Sequence, residues 1–254
     1  MMNEIPTTTP SPRTEPDVFF WNRESARLTL WQWKQSGLLS APLLYPAGAP
    51  IFDRGAALQD AFLLERGVVV FEREPVAREK SGIYALCLPG NLFGHCSGGP
   101  ADASLHSAIA LTRCVVYRIS REKMLATLYK GGEAALFIVR QYLHNLLCAR
   151  ARATESSING TKVRLEHLLL ELASVLEDHS PAGAIRLPLK YKDLAAILGI
   201  SPQQFSVIKK EMEGEKVIAS FGQKNKLALR SSGGKVQFFK VHRYKRIPGI
   251  SSGA

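Results

Sequence analysis

Residues 189–218 read LKYKDLAAILGISPQQFSVIKKEMEGEKVI, and the fold turns on this stretch. Its first half places Leu194, Ala195, Ile197 and Leu198 at helical spacing. Gly199 follows the last of them, where a left-handed residue ends a helix. A second helix starts almost at once. Ser201 is a hydroxyl N-cap, Pro202 suits the first helical position, and Gln204 stands three residues past the cap, within reach of its N–H. In that second helix Phe205, Ile208 and Met212 share one face, while Gln203, Ser206, Val207 and Lys210 share the other. Two short helices, a tight turn and one free polar face predict a helix-turn-helix.

An ordinary helical hairpin uses the same small residues and the same glycine turn, so the motif alone does not separate the two. The charge beyond it does. From Ser201 to Ala254 there are 11 Lys or Arg against 3 Glu, in a chain whose net charge is +11. A cationic region placed after a recognition helix is the footprint of phosphate-backbone binding.

The rest of the chain supplies a body for this head. At 254 residues and 46% hydrophobic, it is long and apolar enough for one large or two ordinary domains. No run approaches the roughly 18 apolar residues of a membrane span, and Met1 to Asp17 lacks an apolar leader core, so a cytoplasmic protein is expected. The four cysteines, Cys87, Cys96, Cys114 and Cys148, form no Cys-x-x-Cys pair and read as reduced thiols.

Five segments follow in order. Residues 1–17, rich in Thr, Pro and Ser, form a flexible arm that cannot bury enough surface to offset its ordering entropy. Residues 18–130 begin with a helical lead-in whose Trp21, Trp31 and Trp33 are packing anchors. They continue from Leu43 as short apolar runs between glycines, the pattern of an antiparallel roll. Residues 131–160 are a long helix with Leu136, Val139, Leu143, Leu146 and Ala153 at alternating three- and four-residue steps, then a hinge at Asn159-Gly160. That spacing fits a heptad dimer seam or a single amphipathic helix lying on the roll. Residues 161–235 carry a further helix, a short strand, the helix-turn-helix and the hairpin VIASFGQKNKLALRSS, which together make a winged helix. Residues 236–254 are a basic tail.

In that order of elements the chain resembles transcription regulators of the CRP/FNR family over residues 43–232. YPAGAPIFDRGAALQDAFLLERGVVVF resembles the family's opening roll strands, with Gly55 and Gly67 at its turn glycines. LPGNLFGH resembles its Pro-Gly-Asp-x-x-Gly-Glu segment, and HSAIALTRCVVYRIS its Arg-Ser-Ala strand. RLEHLLLELA followed by KDLAAILGISPQQFSVIKKEMEGEKVI resembles its DNA-binding domain. The resemblance implies an α+β fold: an N-terminal cyclic-nucleotide-binding-like β-roll, a long dimerisation helix and a C-terminal winged helix-turn-helix. It further implies a homodimer acting on double-stranded DNA with RNA polymerase nearby, and neither an enzyme nor a membrane protein.

The departures define the expectations for the pocket, which the resemblance places at Gly94, His95, Cys96, His106 and Ser107. His95 stands where nucleotide-binding relatives carry a ribose-binding glutamate, and His106 where they carry the arginine that grips the cyclic phosphate. A neutral imidazole has one donor where a guanidinium has a charged fork, so cyclic AMP binding is not expected. The small-molecule effector is left unidentified. His95, Cys96 and His106 also offer metal- or haem-competent ligands, but without ligand spacing, and no cofactor is expected. No third group orients them as a Cys-His catalytic pair. In the recognition helix the family's Arg-Glu-x-x-x-Arg pattern falls on Pro202, Gln203 and Val207. Base reading is therefore assigned to Gln203, Ser206, Val207 and Lys210, and phosphate contact to Lys209, Lys224 and Lys226. The competing reading is a ligand-binding or protein-interaction module whose helix-turn-helix has lost DNA recognition. The cationic C-terminal region favours the regulator.

Overall fold

The computed structural model describes residues 23–74, 82–94, 103–158, 160–176, 185–187, 189–215, 218–220, 226–230 and 236–241. The flexible-arm assignment for residues 1–17 falls outside these, as do Trp21, His95, Cys96 and Lys224. A lead helix α1 (Arg23–Gln35) precedes eight strands: β1 (Leu43–Tyr45), β2 (Pro50–Phe52), β3 (Asp60–Arg66), β4 (Val69–Glu72), β5 (Ile83–Cys87), β6 (Leu92–Gly94), β7 (Ser107–Ala110) and β8 (Cys114–Ser120). They form two four-stranded antiparallel sheets, ordered β1-β8-β3-β6 and β2-β7-β4-β5.

Both sheets are covered on both faces, which explains why their strands read as continuous apolar runs. In β3, Phe62 and Leu64 belong to the core between the sheets. Their neighbours Ala61 and Leu63 belong to a second core, under α1 and the helices that follow the roll. The other sheet repeats the scheme. Val69, Ala108 and Ala110 face the inner core, and Val70, Ile109 and Leu111 an outer one. The turn between β3 and β4 demands glycine: Gly67 has φ +94°, and a Cβ there would stand 2.4 Å from the Arg113 carbonyl oxygen.

Three helices run on from the roll: α2 (Arg121–Lys130), α3 (Gly132–Ile158) and α4 (Thr161–Leu176). Ser120 caps α2, its hydroxyl accepting the Lys123 N–H, and Gly131 ends it. The 27 residues of α3 give a rod about 40 Å long. Near its start Ile138 is buried, and Phe137 meets Trp33 edge-on at 4.9 Å between centroids. Leu136, Val139, Leu143 and Leu146 are exposed. The helix therefore lies on the roll with one side and leaves a separate apolar seam free. Trp33 is fully buried, as an anchor should be, but Trp31 is 60% exposed among the described residues. Two residues apart on a helix, the two tryptophans sit on nearly opposite sides, and one sheet can receive only one of them.

The C-terminal unit comprises β9 (Ile185–Leu187), α5 (Tyr191–Ile197), α6 (Pro202–Gly214), β10 (Ile218–Ser220), β11 (Lys226–Arg230) and β12 (Val236–Val241). Its strands form a third sheet ordered β10-β11-β12-β9, with β12 antiparallel to β11 and parallel to β9. Residues 236–241, read above as the start of a tail, are thus an internal strand. Helix α4 and this unit pack on the roll: Leu165, Leu168 and Leu172 of α4 and Leu194 of α5 share one apolar cluster with Val70, Ile83 and Ile109, and α5 lies against β5. Among the described residues no helix is long and apolar enough to cross a membrane.

Candidate nucleic-acid interface and effector pocket

The turn between α5 and α6 is built by short-range chemistry. Ile200 N–H bonds the Ala195 carbonyl and Gly199 N–H that of Ala196, both at 3.0 Å, with Gly199 at φ +68°. This is a Schellman close, and it needs the glycine. One residue later Ser201 Oγ accepts the Gln204 N–H at 3.1 Å, and Gln204 Oε1 accepts the Ser201 N–H at 2.9 Å. The capping box thereby satisfies two donors that a helix start leaves orphaned.

Packing then fixes which face of α6 is free. Phe205 and Met212 are buried, and Phe205 stacks on Tyr191 of α5 at 5.7 Å. From α4, Arg164 Nη1 donates to the Leu198 carbonyl at 2.9 Å, closing the end of α5. Lys162 reaches Glu215 at 2.6 Å and Glu211 at 3.2 Å on α6, and these carboxylates hold its ammonium above the ordinary lysine range. Sequence reading missed this bracing, because partners some fifty positions apart leave no local signal.

Gln203, Ser206, Val207 and Lys210 are all exposed on the opposite face. The Ser206 hydroxyl donates to the Pro202 carbonyl at 2.9 Å, so it faces a partner mainly as an acceptor. Lys209 is different. Its ammonium pairs with Glu213 at 2.7 Å and lies 5.4 Å from the Tyr191 ring centre, with the side chain only 18% exposed. Assigned above to phosphate contact, it is engaged here along the flank of its own helix. Lys226 lies on β11 of the wing sheet.

The pocket residues that the structure describes stand at one end of the roll. Gly94 closes β6 at φ +83°, where a Cβ would come within 2.9 Å of the Phe62 ring. Ser107 is buried at the start of β7, and its Oγ accepts the Arg54 N–H at 3.0 Å. The half-buried His106 is surrounded by rings: Phe71 at 4.9 Å, Phe52 at 5.8 Å and Tyr84 at 5.9 Å between centroids. Phe52 continues into a ring cluster with Phe62 and Phe93, the three packed within 5.5 to 6.2 Å of one another. Burial raises the Tyr84 phenol's pKa, so it stays a neutral hydroxyl at physiological pH. Among the described residues no group of three or more His, Cys, Asp or Glu is placed to hold a metal ion.

The architecture is thus a β-roll followed by a long helix and a winged helix-turn-helix. Comparisons with known proteins name the family. The cyclic nucleotide-binding domain family matches residues 42–130, and the Crp-like helix-turn-helix domain family matches residues 163–231. The Cyclic AMP receptor protein of Thermus thermophilus is 28% identical over 180 residues, which are 69% of this chain and 78% of that protein. FixK2 from Bradyrhizobium japonicum superposes with a TM-score of 0.57 at 18% identity, over 77% of this chain and 94% of its own. A CRP-family transcriptional regulator, also from Thermus thermophilus, gives 0.54 at 20% identity, over 71% and 88%. The chain belongs to the CRP/FNR family and is a DNA-binding transcription regulator.

Proposed function

We propose that this regulator acts as a homodimer joined through α3, reads DNA with the exposed face of α6, and does not respond to cyclic AMP. The environment of His106 carries the last point. A cyclic phosphate needs a charged, forked donor at this place. The chain offers an imidazole whose neighbours among the described residues include the rings of Phe71, Phe52 and Tyr84. A desolvated phosphate held by such a group loses a charge-assisted pair and gains no equivalent.

On this reading the dimer binds DNA without a nucleotide, or with a different small molecule, and meets RNA polymerase at the promoter. Gln203 pairs with adenine N6 and N7, Val207 meets a thymine methyl, and Lys210 reaches guanine or phosphate. Titration calorimetry with cyclic AMP and cyclic GMP at pH 7.5 should give no heat, and neither should alter a gel shift on the protein's own promoter. Because a protonated His106 would restore positive charge, the same titration is run near pH 6. One-to-one binding at pH 7.5 tighter than about 10 μM would overturn the proposal.

A further inference from the structure

Each sheet of the roll has its own cover among the described residues. The outer side of β1-β8-β3-β6 is closed by α1, α2 and α3, through Trp33, Met124 and Ile138. The sheet β2-β7-β4-β5 is closed from the C-terminal half of the chain. Ile109, Val70 and Leu86 are ladder partners on β7, β4 and β5, and so share a face. Val70 and Ile109 are fully buried and Ile83 of β5 nearly so, in one cluster with Leu168 of α4, Leu194 of α5 and Phe205 of α6. The core of the DNA-binding unit and the outer core of the roll are therefore a single core, with α5 against β5.

Two domains of one chain move against each other by default, unless the surface between them is extensive and apolar. This one is apolar. Lifting the DNA-binding unit would return Val70, Ile83 and Ile109 to water, and burying one such side chain is worth about tenfold or more in an equilibrium. Those three alone hold the lifted state to about one part in a thousand or less. In the docked arrangement Gln203, Ser206, Val207 and Lys210 are still exposed. The contact thus restrains the reading helix without covering its reading face.

We infer that the roll is a positioning surface for DNA reading: its outer sheet, through β5 and α5, fixes the orientation of α6, so that the ligand-free chain presents its reading helix at one half-site separation. Ile83 is the positioning residue at the centre of this contact. The inference rests on the dimer and on the reading face proposed above, and it deepens both by naming what sets the geometry between two reading helices. Units fixed on a two-fold frame tolerate little error in spacing. One inserted base pair moves a half-site by about 3.4 Å and turns it by about 34°.

The test uses the full-length, ligand-free protein. Amide exchange read by mass spectrometry should show α5 as slow as β5, since a docked pair opens together. Ile83→Asp sets a carboxylate under α5, and Ile83→Gln a neutral amide that cannot repel DNA. Both should speed exchange in α5 and leave β3 and β8, in the other sheet, protected. Half-sites are then obtained by selection with the wild type, and the gap between them is varied by single base pairs. Wild-type affinity should drop about a hundredfold at one base pair from the best gap. The undocked variants should bind all gaps within about tenfold of one another, and bind the best gap more weakly than wild type does. A loss of fold alone would lower affinity at every gap and leave the profile sharp. Faster exchange in wild-type α5 than in β5, or slow exchange that persists in both variants, overturns the dock. A loosened α5 with the wild-type gap profile overturns the positioning role, and so does tighter DNA binding by the variants, which marks a restraint on reading. A wild type that selects no sequence sinks the reading face and the positioning role with it, a failure that exchange in α5 separates from failure of the dock.

Discussion

The proposed dimer can be broken at two residues. In the single chain Leu136 is 48% exposed, Val139 53%, Leu143 52% and Leu146 64%, all on α3. Fully burying a leucine or valine stabilises by about 1.5–3 kcal/mol, and roughly half remains to be gained at each position, so each contributes about 1 kcal/mol. Leu143→Asp with Leu146→Asp removes four such contributions from a two-fold interface, about 4 kcal/mol. It also sets carboxylates against apolar partners, a further desolvation loss. At about 1.4 kcal/mol per tenfold, dimerisation should weaken by roughly a thousandfold or more. Sedimentation velocity from nanomolar to micromolar protein reads this directly, and DNA affinity should fall in parallel, because two half-sites are no longer engaged together. Aspartate is a modest helix former, so Leu143→Lys with Leu146→Lys is the companion variant, lysine having nearly leucine's propensity. A dimer that persists in both double variants, or a wild type that is monomeric throughout, would refute the assignment of the seam.

Three further outcomes follow from the geometry. Ser201→Ala removes the Oγ that accepts the Gln204 N–H and should cost about 1 kcal/mol in urea unfolding, with DNA affinity falling as the recognition helix frays. Gln203→Ala should cost about 1 to 3 kcal/mol at one base position and relax preference there, while binding to mixed-sequence duplex stays the same; a selection that returns the wild-type motif removes Gln203 from the readout. The Cys114 thiol, buried between the sheets, is pushed up to about 12 mainly by desolvation. A thiol whose folded value lies above its unfolded one favours folding below the unfolded value, and that contribution is lost as pH rises from about 9 towards 12. The native protein should therefore resist alkylation at Cys114 at pH 8 and become reactive on unfolding, and Cys114→Ala should remove this part of the alkaline decline in stability.

What could be read from the sequence was what short-range chemistry dictates. Gly199, Ser201, Pro202 and Gln204 announce the turn because every partner in the Schellman close and capping box lies within five residues. The strands of the roll were legible as apolar runs, but their pairing was not. A strand buried on both faces, such as the one holding Ala61 to Leu64, carries no alternation to say which residue meets which core. The surroundings of Lys209 were not legible for a related reason. Its exposure depends on Tyr191, eighteen positions earlier, and on Glu213 taking its charge. Strand β12 was hidden in a basic segment. Its residues do not alternate polar with apolar, its neighbour β9 lies some fifty residues back, and charge density reads as tail unless the ladder is seen.

The pocket joins both kinds of information. The resemblance that sets His106 in the place of a phosphate-gripping arginine is read from one position of the sequence. That Phe52, Phe71 and Tyr84 surround it is a fact of three strands, β2, β4 and β5, and no window of sequence contains it. The two bear on each other. A histidine in an open polar pocket would leave room for water to assist a phosphate, and the loss of the arginine would be partly offset. On the proposed reading a histidine beside the Phe71, Phe52 and Tyr84 rings offers less of that relief, since part of its surroundings is aromatic surface. On the proposed reading, the substitution and the rings act together against a cyclic phosphate, because each removes part of what would offset the phosphate's lost hydration.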